Sequence, residues 1–295
     1  MGIISQQAKR LSLSAFVLTA LALLVSACGA ASRPPDPAQP RADVSAYPVV
    51  FTGSEERREQ AIAAWQALVR DQGILDAPLP EFQPITATVR ALPTQLAAPL
   101  RLPKIGSEAT FATEEESREA LRRFISSANA LLGVEAQELS LVEHKRAVDG
   151  DGAQQVRYQQ RPFNYPLRGG YGELTISFTP DRRVIELSST GIPDATRLER
   201  ALDQIRPRLT REQAVARLAN QTFTHTDAAG QPQTRTLRAG DETAVRELVV
   251  YPVIETSGTP RLELRLAWEI AVGPTSAAQI VYLDAATGEI IAAPR

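Results

Sequence analysis

The chain has 295 residues but only one cysteine, one methionine and two histidines. With Cys28 as its single thiol no intrachain disulfide can form, so stability has to come from packed cores. His144 and His225 are far apart in sequence, and neither has ligand-type neighbours at the short spacing that a zinc site needs. No H-E-x-x-H pair and no G-x-S-x-G elbow occurs. Asp149-Gly150-Asp151-Gly152 has two carboxylates but lacks the third ligand and distal glutamate of a calcium loop, so it reads as a turn. Gly169-Gly170-Tyr171-Gly172 leads into a strand pattern and not a helix, which removes the helix start that a phosphate loop requires; it reads as a bulge or tight bend. Neither sign of charge is in excess: 32 Lys+Arg against 34 Asp+Glu leave −2, which suggests no nucleic-acid partner. Beyond the N-terminus no apolar run reaches the ~18 residues of a membrane helix. The expectation is a protein with no catalytic residues, no metal and no cofactor.

What is present begins with an export signal. Lys9-Arg10 forms a basic region, Leu11 to Val25 an apolar run broken by Ser12, Ser14 and Thr19, and Val25-Ser26-Ala27-Cys28 ends it with small residues before a thiol. This is similar to a bacterial lipobox. The resemblance implies cleavage after residue 27, lipidation of the Cys28 sulfur, and a protein exported and lipid-anchored to the cell membrane on its periplasmic or extracellular face. Residues 28–50 then read as a tether, because Pro34, Pro35, Pro37 and Pro40 favour extended, unpacked chain.

Residues 51–105 read as a helix and an extended segment. Ser54 can cap a helix running to about Gln72, with Ala61, Ile62, Trp65, Leu68 and Val69 on one face and Gly73 as the stop. Six prolines from Pro78 to Pro103 then permit only short extended pieces such as 86–92. In 106–193, Thr113 and Glu116 make a capping box before a helix that carries Ala120, Leu121, Phe124, Ile125, Ala128, Leu131 and Leu132 at helical spacing up to Gly133. A strand over 139–147 follows. Leu174, Ile176 and Phe178 then alternate with Glu173, Thr175 and Ser177, Pro180-Asp181 turns the chain, and Ile185 and Leu187 resume the alternation.

In 194–295 the pattern restarts. Thr210 and Gln213 make a second capping box, Ala214, Val215, Leu218 and Ala219 face one way, and a polar loop is expected over 224–243. Strands follow at 248–255, 261–272, 279–283 and 289–292, the last two joined through Asp284-Ala285-Ala286-Thr287-Gly288. The fold class is therefore α+β, with two helix-on-antiparallel-sheet modules in series and a cleavable junction at 193–208.

The Arg157-Tyr158-Gln159-Gln160 strand, its loop and the hairpin after it resemble the FTP module of thermolysin- and fungalysin-type metallopeptidase propeptides, over about 106–193. Leu266-Ala267-Trp268-Glu269-Ile270 with Val281-Tyr282-Leu283-Asp284-Ala285-Ala286-Thr287-Gly288-Glu289-Ile290 is similar to the PepSY signature, over about 194–295. Those propeptides precede a zinc peptidase domain, and no such domain follows here. The resemblance therefore implies a non-catalytic, propeptide-like lipoprotein that inhibits or assists a peptidase in trans; the alternative is an envelope scaffold or ligand-binding lipoprotein unrelated to proteolysis. Arg157, Arg161, Phe163, Tyr165, Arg168 and Tyr171 crowd one hairpin and are the candidate partner surface, since Tyr and Arg are enriched at interface hot spots. The competing assignment makes the aromatics core and the arginines solvated guards of a sheet edge.

Overall fold

The computed structural model describes residues 47–294 apart from 109, 112, 147–151, 162, 228, 239 and 275–277. Cys28, the tether up to residue 46 and most of the 149–152 turn lie outside the described residues. The chain runs β1 (Val49–Thr52), α1 (Glu55–Asp71), β2 (Glu81–Phe82), β3 (Val89–Ala91), α2 (Glu114–Ser127), α3 (Asn129–Leu132), a 3-10 turn (Ala136–Glu138), β4 (Leu139–Arg146), β5 (Gln154–Gln160), β6 (Glu173–Phe178) and β7 (Val184–Ser189). It continues with α4 (Ala195–Asp203), α5 (Arg211–Leu218), β8 (Thr222–Thr226), β9 (Pro232–Thr236), β10 (Thr243–Glu255), β11 (Arg261–Val272), β12 (Gln279–Asp284) and β13 (Ile290–Ala292). The class is α+β, and every ladder between these strands is antiparallel.

The first sheet is the meander β4-β5-β6-β7. Val156, Leu174, Ile176, Phe178, Val184 and Leu187 form its buried face, and α2 lays Ala120, Leu121, Phe124 and Ile125 over it. Thr113 caps α2 by accepting a hydrogen bond from the Glu116 amide, as the spacing predicts. The expected single helix to Gly133 is interrupted at Ala128, where the backbone leaves helical values; α3 then ends on Gly133 at φ 71°, a left-handed cap that glycine adopts without strain. Ser54 caps α1, whose Trp65 and Val69 complete this same core. The indole of Trp65 is fully buried and donates to Pro78 O at 3.0 Å.

The second sheet is built on β11. One side pairs with β10 over its whole length; the other side takes β1 against 261–264 and β12 against 267–272, with β13 beyond β12. Leu262, Leu264, Leu266, Ile270 and Val272 face inward, where α4 covers the first half of the strand with Leu198 and Leu202 and α5 the second with Ala214 and Leu218. The Thr210–Gln213 capping box closes in both directions.

Strands β4–β7 of the first sheet lie at 139–189 and β10–β13 of the second at 243–292, and the segment before residue 106 is shared between both cores. Its helix α1 packs on the first sheet, while β1, already begins at Val49 ahead of residue 51, extends the second. The junction 193–208 is largely α4, with Ala195, Leu198, Leu202 and Ile205 buried. All of it belongs to one compact unit, Val44–Arg295.

One expectation is corrected. The 224–243 stretch is not a polar loop throughout: β8 and β9 form a hairpin, and β10 starts at Thr243, before residue 248. Phe223 within β8 and Leu237 just after β9 are buried in the core under α5, and the Thr222 and Thr236 hydroxyls bond across the hairpin at 2.8 Å. A polar, threonine-rich alternation with Leu237 as its one large apolar residue carries little strand signal in sequence.

Candidate functional site

The loop between β5 and β6, residues 161–172, is where the candidate partner residues were expected. The structure turns it toward the second sheet. Pro166 and Arg168 pair with β10 on either side of a Leu167–Val250 bridge, the Val250 amide donating to Pro166 O at 2.9 Å and the Arg168 amide to Val250 O at 3.0 Å. The three glycines make the tight bend back to β6; Gly172 has φ 74°, and a β-carbon there would lie 2.5 Å from Leu167 Cδ2.

Phe163, Tyr165 and Tyr171 pack against the second core. Arg168 crosses the same seam: its Nε meets Glu269 Oε2 at 2.9 Å and its Nη2 meets Glu247 Oε1 at 2.5 Å. Arg157 stands apart on β5, 3.6 Å from Glu143, with a buried Nε that has no partner. Arg161 is the member of the set whose exposed guanidinium has no hydrogen-bond or ion-pair partner among the described residues. It borders a recess of about 400 Å³ together with Phe163, Asn164 and Tyr165. Four of the six candidates are thus brought together at the seam, but with much of their surface turned inward.

Two further features were not anticipated. The first is the edge of β4. β7 is covered by the 100–102 segment, through Val184 N to Leu100 O and Leu102 N to Arg182 O, both 2.8 Å, and β10 is covered in its middle by 166–168. β4 has no main-chain partner on its outer side among the described residues. At its bulge Leu141 and Val142 are 48% and 50% exposed, both apolar and adjacent.

The second is a cleft of about 550 Å³ where α1, the α3–β4 connection and the start of α4 meet. Arg57 and Arg197 each occupy the third position of a helix, where a cation opposes the helix dipole, and Arg200 follows one turn after Arg197. Burial lowers the pKa of Arg57, partly countered by the charge of Asp194; its Nη2 donates to Ala130 O at 2.5 Å, and its buried Nε has no partner. Arg197 and Arg200 are exposed and form no ion pair among the described residues. Of the carboxylates, Glu135 accepts from Asn129 at 2.9 Å and Glu138 from Gln160 at 3.0 Å, whereas Asp194, at φ 55°, makes no side-chain cap bond. The only trace of this cleft in the sequence is the pair of arginines in first helical turns, a local choice that intrinsic helix physics disfavours.

No family model matches the chain, and no curated protein matches it. Among solved structures it is similar to the Bacillus megaterium YpeB C-terminal domain, with 10% sequence identity and a TM-score of 0.29, over 82% of this chain and 97% of that one.

Proposed function

We propose that this chain is a non-catalytic, exported lipoprotein, anchored to the membrane through Cys28, that works as a propeptide-like binding module for an extracytoplasmic peptidase acting in trans. The observation that carries this reading is the free edge of β4. A strand edge offers a row of main-chain donors and acceptors to an extended segment of a partner, with neighbouring side chains setting specificity. Leu141 and Val142 supply apolar contact on that edge, and Lys145 and Arg146 flank it with charge. An anchor and tether would confine the module near other envelope proteins and raise the effective concentration that a covalently linked propeptide has by construction. The FTP and PepSY likenesses, at 106–193 and 194–295, point to the same architecture and class of partner.

The test uses the full-length chain in detergent, added to a purified secreted zinc peptidase from the same source, with binding and peptidase activity both measured. Binding at about micromolar concentration with altered activity is expected, together with at least a tenfold loss on changing Leu141→Lys and Val142→Lys, two exposed positions where added charge blocks strand pairing. A peptidase that does not bind, or one whose binding ignores both lysines, overturns the reading. The second reading, a ligand-binding envelope lipoprotein unrelated to proteolysis, is favoured by a separate observation, the arginine-lined cleft.

A further inference from the structure

The cleft beside α4 holds three guanidinium groups and three carboxylates, but they are not equally committed. Glu135 and Glu138 are held by Asn129 and Gln160, and Arg57 is bonded to Ala130 O. That leaves Arg197 and Arg200 without ion-pair partners and the Asp194 carboxylate without a hydrogen bond among the described residues. Two adjacent free guanidinia on one helix face are a carboxylate receptor, because each offers paired N–H donors in the geometry of a carboxylate. Asp194 nearby suits the ammonium at the other end of such a ligand.

We infer that this cleft binds a short peptide by its free carboxylate end, with Arg197 and Arg200 on the carboxylate and Asp194 on a nitrogen of the same ligand. The charge balance argues against a phosphate: three carboxylates line the same space, and a dianion would meet more repulsion there than a peptide carrying both signs. The volume of about 550 Å³ is also in the range of sites that enclose a whole small ligand rather than a lone ion.

The inference deepens the ligand-binding reading, and it is separable from the edge-strand reading because a tripeptide is too short to pair along β4. The experiment is calorimetric titration of the full-length chain with trialanine, trialanine amide, N-acetyl-trialanine and inorganic phosphate. Trialanine is expected to bind saturably with Kd at or below about 1 mM. The C-terminal amide should bind at least tenfold more weakly, and the double change Arg197→Ala with Arg200→Ala should cost as much. Arg197 and Arg200 are both exposed, so the double variant should keep the parent's thermal midpoint. Asp194→Asn keeps a residue that tolerates positive φ; it should weaken trialanine severalfold yet leave N-acetyl-trialanine unchanged. Absence of saturable trialanine binding, binding indifferent to the amide or to the double change, or phosphate binding as tight as trialanine would each overturn the inference.

Discussion

Glu269 is buried on the outer face of β11, yet its carboxylate takes Arg168 at 2.9 Å, the Tyr282 hydroxyl at 3.2 Å and Arg246 at 3.4 Å. Removing it takes one of the two carboxylates that hold Arg168, leaving Glu247, and strands a phenol whose own pKa is raised by burial and by the Glu269 charge. Glu269→Ala should therefore destabilise by about 2–3 kcal/mol, less than the ~3–5 of a wholly buried pair because Arg168 and Arg246 keep access to water; urea unfolding measures it. Six residues back along the same face of the strand, the pattern repeats. Glu263 lies between Arg265 at 2.7 Å and Arg261 at 3.0 Å, and Arg265 reaches the fully buried Asp284 at 3.4 Å. Burial alone would push the Glu263 carboxyl up, but the hydrogen bonds of both arginines outweigh it and hold the pKa below the ordinary glutamate value. A depressed carboxylate contributes stability above its unfolded pKa, about 4.3, and that contribution is lost as the pH falls through the lower native value. Thermal midpoints followed by circular dichroism should fall with pH below about 4 more steeply in the parent than in Glu263→Gln, which has nothing to protonate. Equal slopes would remove Glu263 from the account.

Among elements, the first core depends on α1 and the sheet on α2, and their caps and anchors set separable expectations. Trp65 is fully enclosed and its indole N–H is satisfied by Pro78 O, so Trp65→Ala removes a large buried surface and leaves a carbonyl unpaired; about 3–5 kcal/mol of stability should go with it. Thr113→Ala deletes one cap bond at an exposed helix start and should cost about 1 kcal/mol. A Trp65 cost near that of Thr113 would mean that α1 is not part of the folded core. β4 is the opposite kind of element: it gives little to the core on its outer side, and the bulge at Leu141 to Glu143 brings two apolar side chains out together. Bulges and lysines are how natural edges resist indiscriminate pairing, so a partner at this edge has to be shaped for it.

For the molecule as a whole, the seam matters more than either sheet. The 161–172 loop leaves the first sheet and pairs with β10 of the second, β1 precedes α1 but joins β11, and the Gln160 side-chain amide donates to Ile192 O and accepts from the Ile192 amide. These crossings should make unfolding a single cooperative transition by calorimetry. Leu167→Ala, which empties a buried position in the seam, should lower stability by about 2–4 kcal/mol, and two resolved transitions in the parent would refute the coupling. The anchoring proposal is tested at this scale too: intact mass of the exported protein should show cleavage before a lipidated Cys28, and Cys28→Ala should accumulate the precursor.

The helices and most strands were legible in the sequence because their signals are local. Ser54, Thr113 and Thr210 lie where caps belong, and the unbroken alternation from Arg261 to Val272 reads as a strand. The α+β class follows from those elements, as does the place of the two sheets in the chain. What depends on contacts between distant residues was not legible. No periodicity says that Val49 will pair with Leu264, that a glycine-rich loop will lie along β10, or that Arg168 will find Glu269 across 101 positions. The same holds for the sites: arginines and aromatics in one hairpin leave both a partner surface and a core assignment open, and only the fold turns several of them inward. Arg57, Arg197 and Asp194 drew no notice because they meet only when α1 and α4 are brought together by packing on two different sheets.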